Sequence, residues 1–151
     1  METTQPTDLD ALTAGVRALV PILGKMGITI IDASHGQAAA VLPAGPNGNH
    51  FGTTYAGSLF SVAEMLGGVI GFNTFSLEGF IPLVKSLDIH FARPATTDVT
   101  ARTSLSTDEI ARIEAEALAT GRAQFVLEAT VTDAAGEVVA TTTGIYQLRK
   151  F

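Results

Sequence analysis

Glu64 is the one charge in a long apolar run, TYAGSLFSVAEMLGGVIGFNTF, over residues 54–75. Burying an ionised carboxylate without a partner costs several kcal/mol, so an acid this deep in a greasy segment is paired, neutralised or functional. A partly buried Glu has a raised pKa, which suits general-base work near neutral pH. Just before the run lies a polar, Gly-rich turn with Asn47, Gly48, Asn49, Gly52 and Thr53. If the run is a helix beginning near Thr54, the N–H groups of Tyr55, Ala56 and Gly57 have no intrahelical acceptor. Ala56, Gly57 and Ser58 are small, so atoms of another molecule can approach that end. The helix dipole and the free donors together favour an electron-rich oxygen there.

Other chemistry-bearing residues are few. His50 stands beside Asn49 as a rival base, although a loop histidine bonded to backbone is the simpler reading. His90 lies on a strand face and reads as structural. No Gly-x-Ser-x-Gly elbow and no Ser/His/Asp spacing occurs. No metal-ligand cluster is evident, and no cofactor is called for. The chain has no Cys, which removes disulfide scaffolds, Cys-based zinc sites and a thiol nucleophile.

These residues need a scaffold, and 151 residues suffice for one domain with a real core. The composition is 46% apolar and 16% charged, that of a globular chain. The net charge is −6 and the nine Lys and Arg are scattered, so no basic stripe exists to track nucleic acid. The acidic, polar start is not a secretory signal, and an acid in mid-run without flanking cations argues against a membrane span. The expected location is the cytoplasm.

Residues 1–6 read as a flexible tail and 7–26 as a helical segment. Thr7 is the expected N-cap, and Leu9, Leu12, Val16, Leu19 and Val20 share one face. Pro21 should kink or end that helix, with a short turn following to Gly27. The segment covers the core edge, or roofs a pocket for an apolar ligand. Residues 28–33 and 37–42 form a hairpin about Ser34, His35 and Gly36. The central helix at residues 54–75 would span about 33 Å. Gly67, Gly68 and Gly71 within it suggest close contact with other backbone.

Residues 81–91 form a long strand with Leu87, Ile89 and Phe91 on one face and Ser86, Asp88 and His90 on the other. Arg93-Pro94 ends it. Then come a strand at 99–105, a helix at 107–119 with Thr107 as N-cap and Gly121 as terminator, and a hairpin of strands at 122–133 and 137–148. Five to six mostly antiparallel strands and one long apolar helix give an α+β solution in which a curved sheet wraps the helix.

With these elements, the segments Asn49…Gly52-Thr53-Thr54-Tyr55-Ala56-Gly57-Ser58-Leu59…Ala63-Glu64 and Lys85-Ser86-Leu87-Asp88-Ile89-His90-Phe91-Ala92-Arg93-Pro94-Ala95 resemble the hotdog-fold thioesterase superfamily. Within it they resemble the phenylacetic-acid-degradation-type acyl-CoA thioesterases and related uncharacterised hotdog domains. The resemblance covers nearly the whole chain and implies a single hotdog domain over 1–151. It implies that Asn49 positions substrate or water, that the N–H at Ala56 and Gly57 polarises a thioester carbonyl, and that Glu64 is general base or nucleophile. Ser86 would orient water. Tyr55, His50, Lys85 and Arg93 would contact substrate, the two cations with Arg102 as candidates for the CoA phosphates. The family's usual His-Gly-Gly reads Tyr55-Ala56-Gly57 here, and its common Asp is Glu64.

Ala56 and Glu64 stand eight positions apart, roughly 12 Å along a helix. A carbonyl held at Ala56 would be out of reach of its own Glu64, which calls for a second copy as homodimer or dimer of dimers. Three functions stay open: acyl-CoA hydrolysis, hydration or dehydration with His50 or His90, and non-catalytic binding of acyl thioesters or lipid.

Overall fold

The structure, a computed structural model, describes residues 7–151, so the tail expected at 1–6 lies outside the described residues. Six strands form one antiparallel sheet: β1 (Thr29–Asp32), β2 (Gln37–Leu42), β3 (Phe80–Phe91), β4 (Val99–Ser104), β5 (Arg122–Thr132) and β6 (Val138–Lys150). Their spatial order is β1-β2-β4-β5-β6-β3. Strict alternation drives the arrangement. In β5, Ala123, Phe125, Leu127, Ala129 and Val131 are buried, and the residues between them face out. The β5–β6 hairpin closes where Asp133 Oδ1 accepts from the N–H groups of Ala135 and Glu137, both at 2.9 Å, and Gly136 takes φ 81°.

The inner sheet face wraps the central helix, which is two segments, α3 (Ala56–Glu64) and α4 (Leu66–Thr74). The fold is the expected α+β hotdog. Val62, Leu66 and Ile70 of the helix are fully buried, as are Phe125, Val131 and Leu148 of the sheet. Three rings, Phe75, Phe125 and Tyr146, meet at successive centroid distances of 5.8 Å.

Three boundaries depart from expectation. The helix starts at Ala56, because the Thr54 N–H donates to Ala95 O at 2.9 Å and the Tyr55 N–H to Asn47 O at 2.8 Å, which holds both residues outside the helix. The helical run is interrupted at Met65 (φ −63°, ψ −18°), where the Tyr146 hydroxyl donates to the Glu64 carbonyl at 3.0 Å. It ends at Thr74, with Phe75 extended. The close contacts of Gly67 and Gly71 are with side chains rather than a second backbone. A Cβ on Gly67 would collide with the Tyr146 ring, and one on Gly71 would lie 2.7 Å from Pro82 Cβ.

At the N-terminus, α1 (Leu9–Leu19) is followed directly by α2 (Pro21–Met26). Asp8 rather than Thr7 is the N-cap, its carboxylate accepting from the Ala11 N–H at 3.1 Å. Pro21 ends the first helix by opening the second, where its missing N–H costs nothing. Polar ties fix α1 to β1: the Ile30 N–H donates to Thr13 Oγ1 at 3.0 Å, and Arg17 Nε to Ile28 O at 3.0 Å. Helix α5 (Thr107–Thr120) is capped by Ser106, one residue before the expected Thr107, and buries Ile110, Ile113 and Ala117. Gly121 terminates it in the left-handed region, as expected.

β3 is an edge strand, hydrogen-bonded to β6 alone. A bulge between Val84 and Ser86 leaves Lys85 as the extra residue. Beyond it Leu87 and Ile89 are half-buried while Ser86, Asp88 and His90 are exposed, the expected alternation, except that Phe91 is also exposed.

Candidate functional site

The loop before α3 is built to aim the start of that helix. Buried Asn47 donates from Nδ2 to Met26 O and Pro43 O, both at 2.8 Å, and its carbonyl receives the Tyr55 N–H. Asn49 is turned inward on the same loop. Its Oδ1 accepts from the N–H groups of Phe51 and Thr53 at 3.0 and 3.1 Å, and its Nδ2 donates to Thr53 Oγ1 at 2.9 Å. The side chain expected to position substrate is thus engaged in holding the turn. At the helix start no side chain caps, and the N–H groups of Ser58 and Leu59 already share the Tyr55 carbonyl. Ala56 and Gly57 therefore present two N–H groups with no acceptor among the described residues. Tyr55, 58% exposed, lays its ring over Gly57, where a Cβ would come within 2.5 Å of Tyr55 Cε2. Gly57 is small to admit that ring, and Ala56 remains exposed beside it.

Glu64 closes α3 at the far end. It is half-buried on the wall of a pocket of about 630 Å³ between the central helix and α1–α2, with Pro82 and Val84 of β3 at its side. No ion pair among the described residues includes Glu64. Burial, with no cation to offset it, raises its pKa above the ordinary glutamate value. The neighbouring Tyr146 phenol is also pushed up, first by burial and then by the Glu64 charge. The N-terminal helices do roof an apolar pocket, one of the two roles expected of them.

The remaining expected site residues are spread out. Ser86 and Lys85 are exposed on β3 at the bulge, and neither lines the Glu64 pocket. Arg93 is exposed and forms a 3.4 Å ion pair with Glu137. Arg102 lines a separate polar hollow with Asp32 and Glu128. His50 is exposed, its ring 3.9 Å from that of Phe51, and His90 is exposed on β3. One chain thus brings together Asn49, His50, Tyr55, Ala56 and Gly57 at one end of α3 and sets Glu64 at the other.

The family model described as a domain of unknown function (DUF4442) matches residues 10–146. The chain belongs to this family. It is similar to a Pseudomonas aeruginosa protein of unknown function described as a probable thioesterase, at 32% identity and TM-score 0.90 over 99% of this chain and 100% of that one. A Chlorobaculum tepidum protein of unknown function matches at 20% identity and TM-score 0.81, over 94% of each chain. A Haemophilus influenzae thioesterase matches at 16% identity and TM-score 0.75, over 99% of this chain and 96% of that one. The last two likenesses show the fold. No curated protein matches. The likeness to a probable thioesterase at 32% identity accords with the hotdog-fold thioesterase superfamily that the sequence motifs implied for this chain. Among the described residues no helix is long and apolar enough to cross a membrane.

The roof of α1 and α2 was among the sequence expectations, but sequence reasoning missed Tyr146 of β6, whose hydroxyl holds the Glu64 carbonyl. Tyr146 carried no local signal, since one aromatic in an alternating strand reads as core. Asn47 could have been found, as an Asn two residues from the singled-out Asn49 in the same Gly-rich turn.

Proposed function

We infer that this protein hydrolyses acyl thioesters, with acyl-CoA as substrate, at a site completed by a second copy of the chain. The observation that carries this is Glu64: an acid without an ion pair among the described residues, its pKa raised, on an apolar pocket, at the opposite end of α3 from the two N–H groups of Ala56 and Gly57. The thioester carbonyl accepts from the Ala56 and Gly57 N–H groups of one copy. Glu64 of the other copy takes a proton from water, and the hydroxide equivalent adds to the carbonyl carbon. The two N–H groups stabilise the oxyanion that develops, which is usually the main source of rate enhancement in acyl transfer. The intermediate collapses with cleavage of the C–S bond, and the thiolate leaves with the proton that Glu64 had taken. Hydration chemistry would call on His50 or His90, and no observation favours it over hydrolysis: both are exposed, and the His50 ring lies against Phe51.

The test is complementation. Pro is tolerated at the first helical position, and Tyr55 already has the extended backbone (φ −59°, ψ 132°) that a following Pro requires. Ala56→Pro therefore removes one oxyanion donor while keeping the helix. Ala56→Pro and Glu64→Gln should each lose about two orders of magnitude in thiol release from acyl-CoA. Refolded together in equal amounts, they should recover about a quarter of wild-type activity, because about half the dimers are mixed and each of those has one intact site of two. Mixed dimers without recovered activity would place both groups in one chain and defeat the shared site. No thiol release from any acyl-CoA by the wild type would defeat the hydrolase reading.

A further inference from the structure

Of the three glycines in α4, only two have a packing reason. Gly67 makes room for Tyr146 and Gly71 for Pro82, whereas a Cβ on Gly68 would meet none of the described residues within 4 Å. Gly68 lies one turn beyond Glu64 and borders the same pocket. α1 repeats the pattern: Gly15, in mid-helix, also borders the pocket and also has none of the described residues within 4 Å of its Cβ position. An interior helical glycine destabilises relative to alanine, so two helices bear that cost without packing in return. What both glycines preserve is open volume.

The walls say what could fill it. Ser61 and Asn73 border the pocket, but each returns to its own helix. Ser61 Oγ donates to Gly57 O and Asn73 Nδ2 to Val69 O, both at 2.8 Å. Around them stand Val16, Leu19 and Ile22 of the roof and Val69, Phe72 and Val84 of the floor. Leu19 is 85% exposed and Phe72 68%, so large apolar surface is left uncovered at the rim. Among the described residues, Glu64 is the single charged one on the wall. At about 30 Å³ for a water-sized group, 630 Å³ holds on the order of twenty such groups, far more than an acetyl needs.

We propose that this pocket is the acyl slot of the protomer that supplies Glu64, that it takes an unbranched apolar chain of eight carbons or so upward, and that α1–α2 set the accepted length through Gly15. The acyl identity of the occupant rests on the hydrolase reading above, and the slot itself rests on the pocket. In the shared site, one copy then supplies the oxyanion donors, and the other supplies the base and the cavity for the chain.

The experiment titrates non-hydrolysable S-alkyl-CoA thioethers, butyl to dodecyl, calorimetrically into the wild type, Gly15→Phe and Gly68→Leu. Hydrolysis of the matching acyl-CoA series is measured in parallel. Each buried CH₂ should tighten binding about fourfold, so wild-type affinity should rise a hundredfold or more from butyl to octyl. Both variants, checked for cooperative melting, should cut the butyl-to-dodecyl gain at least tenfold. An unchanged gain in a folded variant, no chain-length dependence in the wild type, or no binding at all, as when a second copy fills the pocket, overturns the slot. Length-dependent binding without thiol release keeps the slot and defeats the hydrolase reading; thiol release whose length preference the variants leave unchanged does the reverse. If neither variant folds, Phe72→Trp decides, since the chain has no other Trp. S-dodecyl-CoA should shift the introduced indole's emission to the blue, and bound ligand without a shift overturns the slot.

Discussion

On one side of α4, Gly67 lets the Tyr146 ring lie against the helix and Gly71 does the same for Pro82. One residue along, Gly68 and the preceding turn's Glu64 border open space. The closed side is finished within the chain. The Tyr146 ring stacks on Phe125, and its hydroxyl holds the Glu64 carbonyl, so the backbone of the acid is fixed from behind. The open side leaves the Glu64 carboxylate without an ion pair among the described residues, beneath a roof of α1 and α2. A core that fills itself on one face can hold a desolvated acid on the other.

The largest effect is expected at Glu64, on the open side. Glu64→Gln should lose about a hundredfold or more in turnover of acyl-CoA, measured by thiol release, while circular dichroism stays that of the wild type. It should also be more stable than the wild type at neutral pH. Burial raises the folded-state pKa above the unfolded one, so the folded state binds more protons between those two values. Wild-type stability therefore falls as pH rises from the ordinary glutamate value through the raised one, and the variant escapes that loss. Denaturant midpoints of the two proteins should converge at pH values below the ordinary glutamate pKa. A constant gap across pH would mean that Glu64 is not desolvated.

The closed side is tested next. Gly67→Ala drives a methyl into a ring that is stacked and hydrogen-bonded and so has little freedom to move. It should cost about 1–3 kcal/mol, seen as a fall of several degrees in Tm. The smallest effect has the opposite sign. Gly68→Ala and Gly15→Ala add a methyl to open space in a helix, and each should stabilise by about 0.5–1 kcal/mol. A loss of stability at either position would mean that the pocket is too narrow there to hold a chain.

Much of this was legible from the chain. Alternation in β5 and β6, the Asp133 turn and the Gly121 stop are local patterns, and the structure follows them. The departures come where the cap is the residue next to the expected one, Asp8 for Thr7 and Ser106 for Thr107, or where a distant group intervened. The start of α3 moved because Ala95 and Asn47 claim the N–H groups of Thr54 and Tyr55. Asn49, whose type and position suited substrate contact, proves to be committed to its own turn, which loop sequence alone does not reveal.

The sequence by itself determined that a mostly apolar helix carries one acid, that strands of alternating face enclose it, and that small residues open it. Periodicity settles which face of each element is buried. It does not say which element covers that face, because the placing of residues as far apart as Gly15, Glu64 and Tyr146 about one helix depends on how the whole sheet and its helices pack. Only the tertiary structure decided that Tyr146 would fill the space beside Gly67, that none of the chain's described cations would pair with Glu64, and that α1–α2 would close over Gly68 without filling the space above it.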